Sequence, residues 1–227
     1  MRLNIQYFSA FIFLLFLSAC NQSVEKKKIS QGYVLYDVEV VDKNHWMVNF
    51  APKQLKLYFA KGKFAAEMSA IGGIFRYVLI LDSISETQIQ LTKVFQDKMY
   101  TIQTREEITK ALANRYMVKS LGTKEDNLGY LCTGNLVTEK ISGDTSTIWL
   151  TEEMGVQFPV FVMPKNDLKG FPLEYTVENF GLKLRLKAIK VVEINVNESI
   201  FQIPKGFNKV SNDSLVNYFK NIKYDVN

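Results

Sequence analysis

The chain has 227 residues, 47% hydrophobic and 13% aromatic, enough for one domain with a sizeable core. Its 28 Lys and Arg against 23 Asp and Glu give a formal charge of +5, spread along the chain with no basic block interleaved with aromatics, so a nucleic-acid partner is not expected. One histidine and two cysteines leave no basis for a His-based metal site, a His-containing triad or a disulfide framework, and no cofactor is expected.

The N-terminal run from Tyr7 to Leu17 is apolar but shorter than the roughly 20 residues a spanning helix needs. It ends in Leu17-Ser18-Ala19-Cys20, small residues followed by a thiol, which resembles the processing site of lipoproteins from bacteria with two membranes. Residues 1–19 are therefore expected to be a signal peptide, with Cys20 the lipidated first residue of the mature chain. The alternative is an ordinary cleaved secretory signal in which Cys20 is incidental. Acyl chains contribute about 0.8 kcal/mol per buried methylene, so three of them make a lasting anchor. Residues 20–29 read as the lipidated cysteine and a polar tether, and residues 30–227 as one domain. Lys26, Lys27 and Lys28 make the tether basic rather than acidic, which favours a place in the cell envelope on the outer membrane, facing the periplasm.

From Tyr33 the pattern alternates, with Val34, Tyr36, Val38 and Val40 on one face and Asp37 and Glu39 on the other, as in a half-buried strand. His45 is expected at a strand end near Trp46. Leu55, Leu57 and Phe59 pair with Phe64, Ala66 and Met68 across Lys61-Gly62-Lys63, a hairpin. Gly72-Gly73 precedes a strand from Ile74 to Leu81 that is apolar on both faces. Gln88 to Phe95, a turn at Gln96-Asp97-Lys98, and Met99 to Gln103 continue an antiparallel meander. Thr104 and Glu107 then fit a capping box opening a helix over residues 105–115, with Ile108 and Leu112 on one side.

Strands near 133–140 and 146–151 flank Ser142-Gly143-Asp144, and Cys132 reads as a small buried hydrophobe. The apolar stretch from Gly155 to Met163, broken by Pro159, is either a buried connection filling the core or an apolar flap over a cavity. After a strand entry at residues 168–175, Leu182, Leu184, Leu186 and Ala188 alternate with Lys183, Arg185 and Lys187, an inward apolar face and an outward basic ladder. Leu215, Phe219 and Ile222 mark a C-terminal amphipathic helix.

Four short motifs occur in order: Gly129-Tyr130-x-Cys132, Trp149-x-Thr151-Glu152, Gly170-Phe171-Pro172-Leu173-Glu174 and Phe201-x-x-Pro204-x-Gly206-Phe207. In that order they resemble a family of envelope proteins of unassigned function, related to the GLPGLI proteins and similar to the LolA/LolB lipoprotein carriers. The resemblance implies a mainly β fold with a few short helices, built as a strongly curved antiparallel sheet in a half-open barrel. Its concave side would accept a lipid or acyl chain. It brings no catalytic residues.

Three functions are weighed. In the first, a lipid-anchored protein binds a hydrophobic ligand in an apolar hollow, with Phe75, Tyr77, Leu79, Trp149, Phe158, Phe161 and Met163 as its lining or flap. In the second, an adaptor binds another envelope protein through a sheet edge or the Lys183, Arg185 and Lys187 face. In the third, an enzyme would use paired carboxylates such as Asp37 and Glu39, which at i and i+2 on a strand ordinarily face solvent. The chain is expected not to be an enzyme.

Overall fold

The computed structural model describes residues 28–45, 48, 51–70, 73–165, 167–179 and 181–225. The expected signal peptide, Cys20 and expected tether up to residue 27, with Trp46 and Gly72, lie outside the described residues. The strands are β1 (Gly32–Val40), β2 (Gln54–Ala60), β3 (Lys63–Ala70), β4 (Phe75–Asp82), β5 (Thr87–Val94), β6 (Asp97–Thr104), β7 (Tyr116–Asn127), β8 (Tyr130–Glu139), β9 (Thr145–Thr151), β10 (Phe171–Asn179), β11 (Leu182–Glu193) and β12 (Asn208–Lys209). Among the described residues there are two α-helices, α1 (Arg105–Leu112) and α2 (Asn212–Asp225).

All twelve strands belong to one sheet, ordered β12-β6-β5-β4-β3-β2-β1-β11-β10-β9-β8-β7. Pairing is antiparallel throughout except for β12, which adds to β6 in parallel. The fold is thus mainly β, and the sheet is open: β6 and β7 do not pair.

Local chemistry sets the meander. Lys61 and Gly62 both adopt positive φ, the pair of left-handed residues that a two-residue hairpin turn requires, and Phe59 then faces Phe64. The turn between β5 and β6 is Phe95-Gln96, one residue earlier than the sequence indicates, because Asp97 already pairs with Val94. Strand β4 is apolar on both faces because both are covered. Tyr77 and Leu81 face the interior, while Val78 and Ile80 pack with Phe201 under the segment around the 3-10 turn Glu198–Phe201.

Helix α1 starts with the capping box read from the sequence: Thr104 Oγ1 accepts from the Glu107 amide, and Glu107 accepts from the Thr104 amide at 2.7 Å. The helix is also the clearest cause of the sheet's curl. Strands β6 and β7 stand ten places apart, or about 48 Å at 4.8 Å per strand in a flat sheet. Between them lie an eight-residue helix, about 12 Å long, and residues 113–115, which add about 10 Å. So short a link forces the sheet to bend around a concave side.

Two strands are not legible in the sequence, the two-residue β12 and the long β7. Strand β7 is a twelve-residue edge with nearly every side chain exposed, so it has no apolar alternation to announce it. It also breaks its register with β8 between Ser120 and Lys124, near Gly122 at φ 66°. His45 lies in the turn that follows β1, where its amide donates to the Asp42 carbonyl at 3.3 Å. In α2, Leu215 and Phe219 are buried as the spacing indicates; the side chain of Ile222 lies outside the described residues.

Candidate functional site

The bend encloses a cavity of about 330 Å³, at the lower end of the roughly 300–1,000 Å³ typical of small-molecule sites. Leu55, Met68, Leu79, Ile148, Leu184 and Leu186 give it aliphatic walls drawn from β2, β3, β4, β9 and β11. At the end where β1 begins, it is closed by packed rings: Phe64 against Phe158 at 5.1 Å and Phe59 against Phe171 at 5.4 Å between centroids. One patch of wall is amide: Gln88 and Gln90 on β5 both donate to Gln103 Oε1, at 3.0 and 3.4 Å.

The opposite end carries the charge. Arg115 donates through Nε to Glu139 at 2.9 Å and through Nη2 to Glu178 at 3.0 Å, and its guanidinium stands 5.2 Å from the Tyr116 ring centre. Lys183 pairs with Asp144 at 2.5 Å, and Ser142 donates to Glu139 at 2.9 Å. All five charged groups and Tyr116 border the cavity. Hydrogen bonds from Arg115 and Ser142 hold Glu139 below the usual carboxylate range, and Lys183 does the same for Asp144. Both are ionised at neutral pH. Nothing in the sequence pattern flagged this cluster, because its members come from the end of α1, the β8–β9 turn and the β10–β11 hairpin.

Of the seven residues expected to line a hollow, Tyr77, Leu79, Phe158 and Met163 do so. Phe75 instead packs on Phe219 of α2 at 6.4 Å between ring centres. Trp149 alternates with the wall residue Ile148 and covers Gly134 of β8 so closely that an added Cβ there would stand 2.8 Å from the ring. Phe161 is buried in the 3-10 turn Val160–Val162, which packs on α1. The Gly155–Met163 stretch contributes both to the core and to the cavity lining. It fills core through Phe158 and Phe161, and with Val162 and Met163 it forms part of the cavity wall.

The three cations of the basic ladder all have carboxylate partners. Lys183 belongs to the cavity mouth. Arg185 donates through Nε to Glu174 at 2.9 Å and also bonds it through Nη2, with Glu39 at 3.8 Å, while Lys187 lies 3.6 Å from Glu174. The side chain of Glu174 is only 4% exposed, so two of the three cations neutralise one buried carboxylate. Asp37 on β1 accepts from Gln54 at 3.1 Å and stands opposite Lys187, as Glu39 stands opposite Arg185.

Cys132 is a free, buried thiol, pushed up to about 12 by burial and by Glu125, Glu153 and Asp126. Among the described residues no group of His, Cys, Asp and Glu is placed to hold a metal ion, and no helix is long and apolar enough to cross a membrane.

No family model matches the chain, and no curated protein matches it. Among solved structures it is similar to PNGF-II, determined in space group C2, with a TM-score of 0.55 and 18% identity. The match covers 86% of this chain and 33% of that one, so this chain spans about a third of the PNGF-II chain. At that identity the likeness is one of fold alone.

Proposed function

We propose that the chain is a lipid-anchored envelope protein that binds a hydrophobic ligand on the concave side of a half-open barrel of the LolA/LolB kind, as a relative of the GLPGLI proteins. The observation that carries the binding is the cavity itself: aliphatic walls, a phenylalanine floor and a polar opening leave about 330 Å³ that the protein's own side chains do not fill. Each Å² of apolar ligand surface placed there contributes about 25 cal/mol. The anchor rests on Leu17-Ser18-Ala19-Cys20, and the periplasm-facing outer-membrane address on the basic tether. We read a binder rather than an enzyme, since Glu139 and Asp144 are held ionised by their cations and neither is a proton donor near neutral pH.

Uptake of the neutral fluorophore N-phenylnaphthylamine tests the cavity. The purified chain should enhance its fluorescence, and Ala66→Phe, which fills the wall between Leu57 and Leu79, should abolish the effect without lowering the unfolding midpoint. Equal enhancement by the folded variant sinks the reading. Cys20→Ala tests the anchor, because it should remove the acyl mass increment and release the chain from membranes.

A second reading keeps the adaptor role, at the sheet edge. Strand β7 leaves a twelve-residue edge exposed, and an extended partner strand can add to such an edge. Proline at Val118, an exposed-edge position before the bulge, should weaken partner capture and leave fluorophore uptake intact.

A further inference from the structure

We propose that the cavity mouth is a head-group site selecting a single-chain amphiphile with an alkylammonium head. The inference rests on the cavity reading above and adds the chemistry of what enters.

Size limits the apolar part. A volume of about 330 Å³ takes one chain and not the several chains of a processed lipoprotein or a diacyl lipid. The phenylalanine floor gives a polar head nothing to bond, so the chain enters first and the head stays at the opening, among Arg115, Glu139, Asp144, Glu178 and Lys183.

Charge decides which head. Three carboxylates face two cations, and both cations are engaged: Arg115 by Glu139 and Glu178, Lys183 by Asp144. An anionic head would enter a cluster that already holds one more carboxylate than cations. A cationic head meets carboxylate oxygens with acceptor sites to spare, since each carboxylate has about four.

Aromatic faces point the same way. Tyr116 borders the opening and receives the Arg115 guanidinium at 5.2 Å. Tyrosine faces attract quaternary ammonium groups through the ring quadrupole.

The test is calorimetric titration of the purified chain with three dodecyl amphiphiles below their micelle concentrations: dodecyltrimethylammonium, dodecyl maltoside and dodecanoate. The ammonium should bind more tightly than the carboxylate by about fivefold, the ratio a partly exposed ion pair supports. The ratio should shrink towards one in molar salt, where the screening length falls to about 3 Å. Glu178→Gln, checked for an unchanged unfolding midpoint, should narrow it as well. If the maltoside binds and dodecanoate binds as well as or better than the ammonium, the head-group inference falls and the cavity stands. A salt-insensitive ratio, or one unmoved by Glu178→Gln, also overturns it. If none of the three binds, the cavity reading falls and takes this inference with it.

Discussion

The phenol of Tyr36 in β1 donates to the carbonyl oxygen of Pro172 in β10 at 2.7 Å, reaching across the intervening strand β11. The bridge is possible because the residue opposite Tyr36 on β11 is Ala188, which leaves room above the strand. It arrives where β10 slips its register against β9, between Pro172 and Glu174. Burial holds the Tyr36 hydroxyl well above its ordinary range, with Tyr175 adding to the effect, so it remains a donor. The bond thus ties the middle of the sheet to its bulge.

Tyr36→Phe is expected to cost about 1–3 kcal/mol, the penalty for leaving a buried acceptor unpaired. Urea denaturation measures it directly. A change within a few tenths of a kcal/mol would mean that Pro172 finds another donor.

The pair Glu174 and Arg185 should respond unequally to truncation. Glu174 is buried whereas Arg185 is half-exposed and has Glu39 nearby, so Glu174→Gln leaves a cation that water and Glu39 can serve. Arg185→Met leaves the buried carboxylate with Lys187 alone, at 3.6 Å. The second variant should lose on the order of 2–3 kcal/mol, somewhat below the 3–5 of a wholly orphaned buried charge. Comparable losses in thermal melts would show that the carboxylate is better hydrated than its position implies.

Cys132 should be inert in the folded protein. Its thiol, raised to about 12, carries almost no thiolate at pH 8, and no part of the side chain reaches solvent. Iodoacetamide is expected to label it in urea and to spare it under native conditions. Rapid native labelling would place β8 in fast local opening.

Helix α1 should depend on pH through its capping box. Thr104→Ala is expected to cost about 1 kcal/mol. Glu107 is lowered by its hydrogen bonds from the Thr104 amide and hydroxyl. Its contribution is present above the ordinary value of 4.5 and lost as pH falls through the lower folded value. The stability gap between the native chain and Glu107→Ala should therefore narrow on going from pH 6 to pH 3. A gap independent of pH would show that the carboxylate's charge does not matter to the cap.

These elements also show where the sequence speaks. Strand β1, the Lys61-Gly62 hairpin and the capping box are legible because each is fixed within a few residues, by alternation, by backbone freedom and by a side chain returning to its own helix terminus. Strand β4 gave its strongest signal, apolar on both faces, although what covers its back, Phe201, comes from far along the chain. Strand β7 was silent because an exposed edge selects no apolar face. For the basic ladder, alternation shows that Arg185 and Lys187 point outward but not that Glu174, on the next strand, lies there buried.

The amino-acid sequence by itself determined the class of fold, most of the strands, the capped helix and the N-terminal motif at Cys20, all of them matters of local pattern. Only the tertiary structure decided that the sheet bends enough to leave a cavity and that Arg115, Glu139, Asp144, Glu178 and Lys183 gather at its opening. Curvature depends on how short the α1 link is relative to the ten strand spacings it spans. A charge cluster drawn from α1's end, a hairpin and a turn has no spacing in sequence to reveal it.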